Sequence, residues 1–117
     1  MDLHKFENLK TVCAKIKIKE DKISKIYEWK DYLSLHENEV LQSLKQEGVF
    51  LETVFLDKQG KDYFLIYFMK CQNLEKAKEA VKKSTLKVDE YHSQFKKEAW
   101  VERQELELLV DFINLDI

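Results

Sequence analysis

The chain has 117 residues, 44% of them apolar and 36% charged, a composition typical of a folded protein and not of a disordered one. Its 20 basic and 22 acidic residues give a formal net charge of −2, so no basic field attracts nucleic acid or an anionic membrane surface. No apolar run approaches the roughly 18 residues of a membrane helix, and the first residues lack the apolar core of a signal peptide. These features predict one cytoplasmic domain over residues 1–117, with residues 1–9 as a short leader.

The first half of the chain reads as a strand followed by a long helical segment. Apolar and basic residues alternate over Val12–Ile18, which predicts a strand with one covered face. From Asp21 the apolar residues recur with a helical period. About 25 residues is long for one helix, so we expect a bend near Ser34–Glu37 and a left-handed end at Gly48.

The middle of the chain predicts a β-hairpin. Val49–Leu56 is rich in Val, Phe, Leu and Thr, and the turn residues of Asp57–Asp62 follow it. The next seven residues, Tyr63–Met69, contain no polar position. A strand with one wet face alternates, so this run predicts a strand that is covered on both faces.

The last part predicts two helical stretches and a final strand. Asn73 is a suitable N-cap for a helix that ends near Lys83, and Val88–Trp100 has helical spacing. Apolar and acidic residues then alternate over Leu106–Phe112. The predicted order is βαββαβ, an α+β ferredoxin-like fold with a four-stranded antiparallel sheet and its helices on one face.

The alternation along the strands predicts which side chains share a face of the sheet. The helix-covered face is expected to hold Val12, Ala14, Ile16, Ile18, Phe64, Ile66, Phe68 and the apolar residues of 106–112. The open face is expected to hold Cys13, Lys15, Lys17, Tyr63, Leu65, Tyr67, Met69, Cys71, Glu107 and Leu109.

This open face is too apolar to be simply solvated, which favours an interface with a second copy of the chain. Two sheets packed in this way form a dimeric α+β barrel. The alternative is a monomer with a tyrosine-rich open face.

The two cysteines, Cys13 and Cys71, form no CxxC motif and have no histidine at ligand spacing, so we expect no metal site and no cofactor. The predicted faces place them side by side. Two reduced thiols are the expectation for the cytoplasm, with a redox pair as the alternative.

His92 is the first candidate for a catalytic residue. It lies on the inward stripe of the last helix, and Asp89 precedes it by one turn. A carboxylate at this spacing can hold an imidazole in one tautomer, which suits an acid/base histidine. The alternative is a core histidine that makes one hydrogen bond.

Three further residues, Tyr32, Glu52 and Tyr67, are candidates for ligand binding. Tyr32 and His36 are spaced to converge on a polar ligand from one helix, or to be surface residues. Glu52 interrupts an apolar strand and is either a pocket carboxylate or an edge charge. Tyr67 is a third possible neighbour of a pocket between the sheet and the helices.

Three segments, Glu47–Leu56, Tyr67–Lys70 and Val88–Phe95, resemble a family of small uncharacterised bacterial proteins with the dimeric α+β barrel fold. The resemblance implies this fold and a homodimer, and no established activity. A more limited resemblance links Ala80–Thr85 and the Tyr32–His36 spacing to the sugar mutarotases of the rhamnose type.

Three functions follow from these patterns. The first is a homodimer with a small-molecule pocket between sheet and helices. The second is a cofactor-independent enzyme of the mutarotase or monooxygenase type, with His92 as acid/base. The third is a protein-interaction module that uses the open face.

Overall fold

The computed structural model describes residues 8–116; residues 1–7 of the predicted leader lie outside this range. The strands are β1 (Lys10–Ile18), β2 (Val49–Gln59), β3 (Asp62–Cys71) and β4 (Trp100–Glu105). The helices are α1 (Ile23–Leu35), α2 (Glu37–Glu47), α3 (Leu74–Lys83) and α4 (Lys87–Ala99), and a 3₁₀ turn (Glu20–Lys22) precedes α1. The sheet is antiparallel with the order β2-β3-β1-β4, which confirms the α+β ferredoxin-like fold. In residues 8–116 no helix is both long and apolar enough to cross a bilayer.

The predicted helix break, helix end and helix cap are all present in the structure. The long helical segment breaks at His36 into α1 and α2, and Gly48 ends α2 with a φ of +70°. Such a φ is readily adopted only by glycine. The Asn73 side chain accepts a hydrogen bond of 3.0 Å from the backbone N–H of Lys76 and so caps α3.

The register of β1 and β3 reverses the predicted faces of β3. Ala14 pairs with Tyr67 and Ile16 with Leu65, so these four side chains share the helix-covered face. The same parity puts Phe64, Ile66 and Phe68 on the open face. The predicted assignment for β3 is therefore wrong, because a shift of one residue exchanges the two faces of a strand.

The main core lies between this face of the sheet and helices α1 and α4. Ile16, Ile18 and Leu65 are almost fully buried there. Trp29 of α1 stacks on Phe95 of α4 with ring centroids 5.0 Å apart, and both are buried. This aromatic pair joins the two helices above the sheet.

The last strand is Trp100–Glu105, not the predicted Leu106–Phe112. The backbone N–H of Lys19 binds the carbonyl oxygen of Ala99 at 2.9 Å, and Ile18 pairs with Trp100. The chain must therefore begin pairing with β1 as soon as α4 ends. Residues 106–116 extend beyond the sheet without regular secondary structure, and we call them the C-terminal arm.

The predicted proximity of the two cysteines is also wrong, because the register of β1 and β3 separates them. Cys71 pairs with Lys10, whereas Cys13 pairs with Phe68 and lies on the open face. Three residues along a strand correspond to roughly 10 Å, beyond the reach of a disulfide. Both thiols are free.

Candidate functional site

Two cavities lie between the helices and the sheet, and Glu52 and His92 line both of them. The first, of about 150 Å³, is enclosed by α1, α2, α4 and β2. Its other lining residues are Trp29, Leu33, Val40, Ser43, Leu44, Glu47, Val54, Val88 and Asp89. The second, of about 140 Å³, lies above β1 and β3 against α4 and β4. Its other lining residues are Val12, Ala14, Ile16, Tyr67, Met69, Trp100 and Arg103.

Trp29 determines the tautomer of His92. The indole Nε1–H of Trp29 donates a hydrogen bond of 3.0 Å to Nδ1 of His92. Because an indole nitrogen can only donate, Nδ1 must be unprotonated and the ring proton of the neutral imidazole lies on Nε2. His92 thus has an N–H group left over for a ligand.

The surroundings of His92 also disfavour its charged form. Burial and the nearby positive charge of Lys96 lower its pKa from 6.5 to about 4, and the opposing effect of Asp89 is smaller. His92 is therefore neutral at pH 7, as an Nδ1 that accepts a hydrogen bond from Trp29 requires.

Asp89 holds the scaffold together rather than orienting the imidazole. Its two carboxylate oxygens accept hydrogen bonds from the hydroxyls of Ser43 and Ser84, each at 2.5 Å. These bonds connect the first turn of α4 to α2 and to the loop before α4. The orienting partner of His92 is Trp29, and the expected Asp89–His92 hydrogen bond is not the one that forms.

Ser43 lies between two carboxyl groups. Its Oγ is 2.5 Å from Asp89 and 2.9 Å from Oε1 of Glu47, and the serine is buried. A hydroxyl donates only one hydrogen, so both contacts are hydrogen bonds at once only if one carboxyl carries a proton. Burial raises the pKa of Glu47 to about 7, which makes Glu47 the group that is protonated.

We expect Glu47→Gln to stabilise the protein at high pH. The pKa of Glu47 lies near 7 in the folded state against 4.5 ordinarily, so its ionisation opposes folding. This loss of folding stability is absent below pH 4.5, where Glu47 is protonated in both states, and it grows as the pH rises through 7. Allowing for solvent contact, the gain at pH 8 is about 1–2 kcal/mol in the free energy of unfolding. Urea unfolding at pH 4.5 and pH 8 measures it.

Glu75→Gln is the matched control for this measurement. Glu75 is exposed on α3, where its carboxylate lies 4.0 Å from the Lys78 ammonium, so its substitution should leave the pH dependence unchanged. An equal gain for Glu47→Gln at both pH values would contradict the protonated Glu47–Ser43 contact.

Glu52 occupies the wall between the cavities. Its side chain is exposed to solvent. Because it lies in a concave part of the surface between the two cavities, protein atoms surround it on most sides. Burial and the negative charge of Asp89 raise its pKa, and Lys96 opposes them. Glu52 thus lies at both cavities, and a role of its carboxylate in ligand binding stays a prediction.

Tyr67 and Trp100 bring two unused hydrogen-bond donors to the second cavity. The Tyr67 hydroxyl and the Trp100 indole nitrogen are buried and have no hydrogen-bond partner among residues 8–116. Their rings and that of His92 form a triangle with centroid separations of 5.5, 6.2 and 6.2 Å. Three aromatic side chains with a polar atom each thus meet at one cavity.

Tyr32 and His36 lie away from both cavities. The Tyr32 ring stacks on Tyr91 at 3.7 Å and on His36 at 4.1 Å. His36 Nδ1 contacts the backbone carbonyl oxygen of Tyr32 at 2.8 Å. The stack joins α1 to α4 and leaves neither ring at the cavities.

Five residues at the cavities carry no sequence pattern that marks them as site residues: Trp29, Ser43, Glu47, Trp100 and Arg103. A tryptophan on an apolar stripe is normally a packing residue, and no pattern shows where its N–H points. Glu47 and Ser43 are one turn apart on α2, a spacing that many surface pairs share. Only the packing of α2 against α4 brings them to Asp89.

In the described part of the chain, no group of three or more His, Cys, Asp or Glu side chains is arranged to hold a metal ion. The fold defines a small α+β ferredoxin-like protein, and its cavities between sheet and helices have mainly apolar walls. The model of a family of unknown function, DUF6176, matches residues 9–116, and the chain belongs to this family. No curated protein and no solved structure gives a significant match.

Proposed function

We propose that this protein is a cytoplasmic homodimer that binds a small organic molecule in the cleft at Glu52 and His92. The observation that supports it most directly is the pair of buried donors on Tyr67 and Trp100 without a partner. Leaving such a group unpaired costs about 1–3 kcal/mol, and natural proteins rarely tolerate two in one place without a use. A bound molecule with hydrogen-bond acceptors would satisfy both.

The size of the cavities suits a small ligand. An apolar cavity of about 150 Å³ is known to hold a benzene molecule, and each cavity here has about that volume. Both cavities have mainly apolar walls, such as Leu33, Val40 and Val54 in the first, with a few polar groups among them. Such a lining is typical of ligand pockets.

An acid/base enzyme is the second candidate function. It is favoured by the neutral form of His92, whose ring proton lies on Nε2. A neutral imidazole that donates from Nε2 can polarise a carbonyl oxygen or act as a general acid. It cannot take a proton at Nε2 while Nδ1 accepts from Trp29. Magnetisation transfer between the anomers of rhamnose, measured by NMR with and without the protein, tests the mutarotase reaction directly.

The homodimer is supported by the open face of the sheet. Phe64, Ile66 and Phe68 of the central strand β3 lie there without being buried, and Phe55 of β2 is 60% exposed. Monomers rarely leave such a continuous apolar surface in water. A second copy is the simplest cover, because a two-fold interface matches the face with itself.

The C-terminal arm enlarges this apolar surface. Asp111 accepts a hydrogen bond of 2.5 Å from Thr11 and pairs with Lys70 at 3.1 Å, and both partners lie on the open face. The neighbouring Val110 and Phe112 are 68% and 89% exposed. Asp111 thus ties the arm to the open face, while residues 8–116 leave most of the Val110 and Phe112 side chains uncovered. In a dimer they would pack on the second copy.

The state of the cysteines supports a cytoplasmic location. Cys13 and Cys71 are free thiols in separate positions. Free thiols are typical of a reducing compartment.

Ligand binding can be tested with the two indole N–H groups. The chain contains only two tryptophans, so ¹H–¹⁵N spectra show two indole signals, one at each cavity, and Trp100→Phe assigns them. We expect saturable shifts of at least one indole signal on titration with benzoate, benzamide or benzamidine. No shift with any of the three compounds would overturn the proposed function.

A further inference from the structure

The second cavity is distinguished from the first by its supply of hydrogen-bond donors. Tyr67 and Trp100 carry buried donors without partners, and the remaining N–H of the neutral His92 is on Nε2. The three rings that carry these donors are mutual neighbours at 5.5–6.2 Å. A group that satisfies all three must be an acceptor.

Positive charge adds to these donors. Arg103 of β4 lines the cavity, and the Lys96 ammonium lies 4.9 Å from the centroid of the Trp100 ring. Burial lowers the pKa of Lys96, and the nearby positive charge of Arg103 lowers it further. Three residues with neutral donors and the Arg103 guanidinium therefore line this space together with the Glu52 carboxylate, and the Lys96 ammonium lies beside the Trp100 ring.

We propose that the second cavity binds the carboxylate of a small organic acid, with Tyr67, Trp100 and His92 as its hydrogen-bond donors. This inference rests on the proposed ligand-binding function and adds the class of ligand. Charge-assisted hydrogen bonds to a carboxylate are about twice as strong as neutral ones, so an anion gains most from such a set of donors. The apolar body of the acid extends toward the first cavity, which shares His92 and Glu52 with the second.

Glu52 fits this proposal because its carboxyl can lose its negative charge by taking up a proton when the ligand binds. Burial and the negative charge of Asp89 already raise the pKa of its carboxyl. When the ligand carboxylate enters, Glu52 takes up a proton and becomes a further donor. Glu52→Gln mimics this protonated state and should strengthen anion binding.

The test uses three compounds of nearly the same shape: benzoate is negative, benzamide neutral and benzamidine positive. We expect benzoate to shift the Trp100 indole signal and to bind at least tenfold more tightly than benzamide, with no binding of benzamidine. Tyr67→Phe should weaken benzoate binding by about tenfold, and Glu52→Gln should strengthen it.

Tyr63→Phe is the matched control, because Tyr63 lies on the same strand and face as Tyr67 and packs on the core without lining either cavity. It should leave benzoate affinity unchanged. Tighter binding of benzamide or benzamidine, or an unchanged affinity in Tyr67→Phe, would overturn the carboxylate site and leave the ligand-binding function standing. Absence of shifts with all three compounds would overturn both.

Discussion

Replacing Phe68 with aspartate is expected to convert the proposed homodimer into monomers. Phe68 lies at the centre of the open face, where it pairs with Cys13 on β1 and Thr53 on β2. In a dimer this position would be covered by the second copy, and a charge buried there without a partner is strongly unfavourable. Sedimentation equilibrium should show twice the subunit mass of 14.1 kDa for the natural chain and the subunit mass for the variant.

Phe112→Asp tests the C-terminal arm separately. The side chain is 89% exposed in the subunit, so the substitution should not lower the stability of the fold. Central aromatic residues of an interface contribute about 2 kcal/mol or more, and we expect the dimer dissociation constant to rise about thirtyfold or more.

Leu41→Asp is the control for both variants. Leu41 is also exposed, at 56%, but it lies on α2 on the opposite side of the sheet. It should leave the dimer intact. A natural chain that sediments as one subunit at all concentrations would contradict the homodimer, and a variant at Phe68 that remains dimeric would place the interface elsewhere.

Replacing Trp29 with phenylalanine is expected to change the protonation of His92. The variant keeps the ring that stacks on Phe95 and loses the N–H that donates to Nδ1 of His92. With Nδ1 free to carry a proton, the imidazole should become a mixture of tautomers and its pKa should rise from about 4. Long-range ¹H–¹⁵N spectra of the histidine rings measure both changes.

The stability of this variant should change with pH in a defined direction. The pKa of His92 is lower in the folded state than its ordinary 6.5. The natural fold is therefore penalised as the pH falls from 6.5 toward 4, because the unfolded chain binds the proton first. At pH 7.5 the free energy of unfolding of Trp29→Phe should be about 1–3 kcal/mol lower than that of the natural protein, because Nδ1 of His92 is left unpaired. This difference between the two proteins should be smaller at pH 5.

Trp100→Phe is the matched control, because the Trp100 nitrogen has no partner among residues 8–116. It should leave the tautomer of His92 unchanged. A natural protein in which Nδ1 of His92 carries the proton would contradict the assignment and remove the Nε2 donor from the second cavity.

Much of the fold could be predicted because its signals are local. The cap at Asn73, the left-handed end at Gly48 and the break at His36 each depend on a few adjacent residues. The position of Glu52 beside a pocket could be predicted in part, because a charge in an apolar strand needs solvent or a polar cleft. The unpaired donors at Tyr67 and Trp100 could not be predicted, because whether a side-chain donor has a partner depends on how the surrounding chain packs.

The amino-acid sequence by itself determined the order of the elements and their helical or extended character, since these follow from periodicity and from residues such as Gly48. It did not determine which face of β3 meets the helices, because Tyr63–Met69 is apolar at every position and either parity buries similar side chains. The pairing of Ala14 with Tyr67 decided that question and brought Tyr67 into the cleft. Likewise, only the packing of α1 on α4 placed the Trp29 N–H against His92, because a hydrogen bond between residues 63 positions apart exists only in the folded chain.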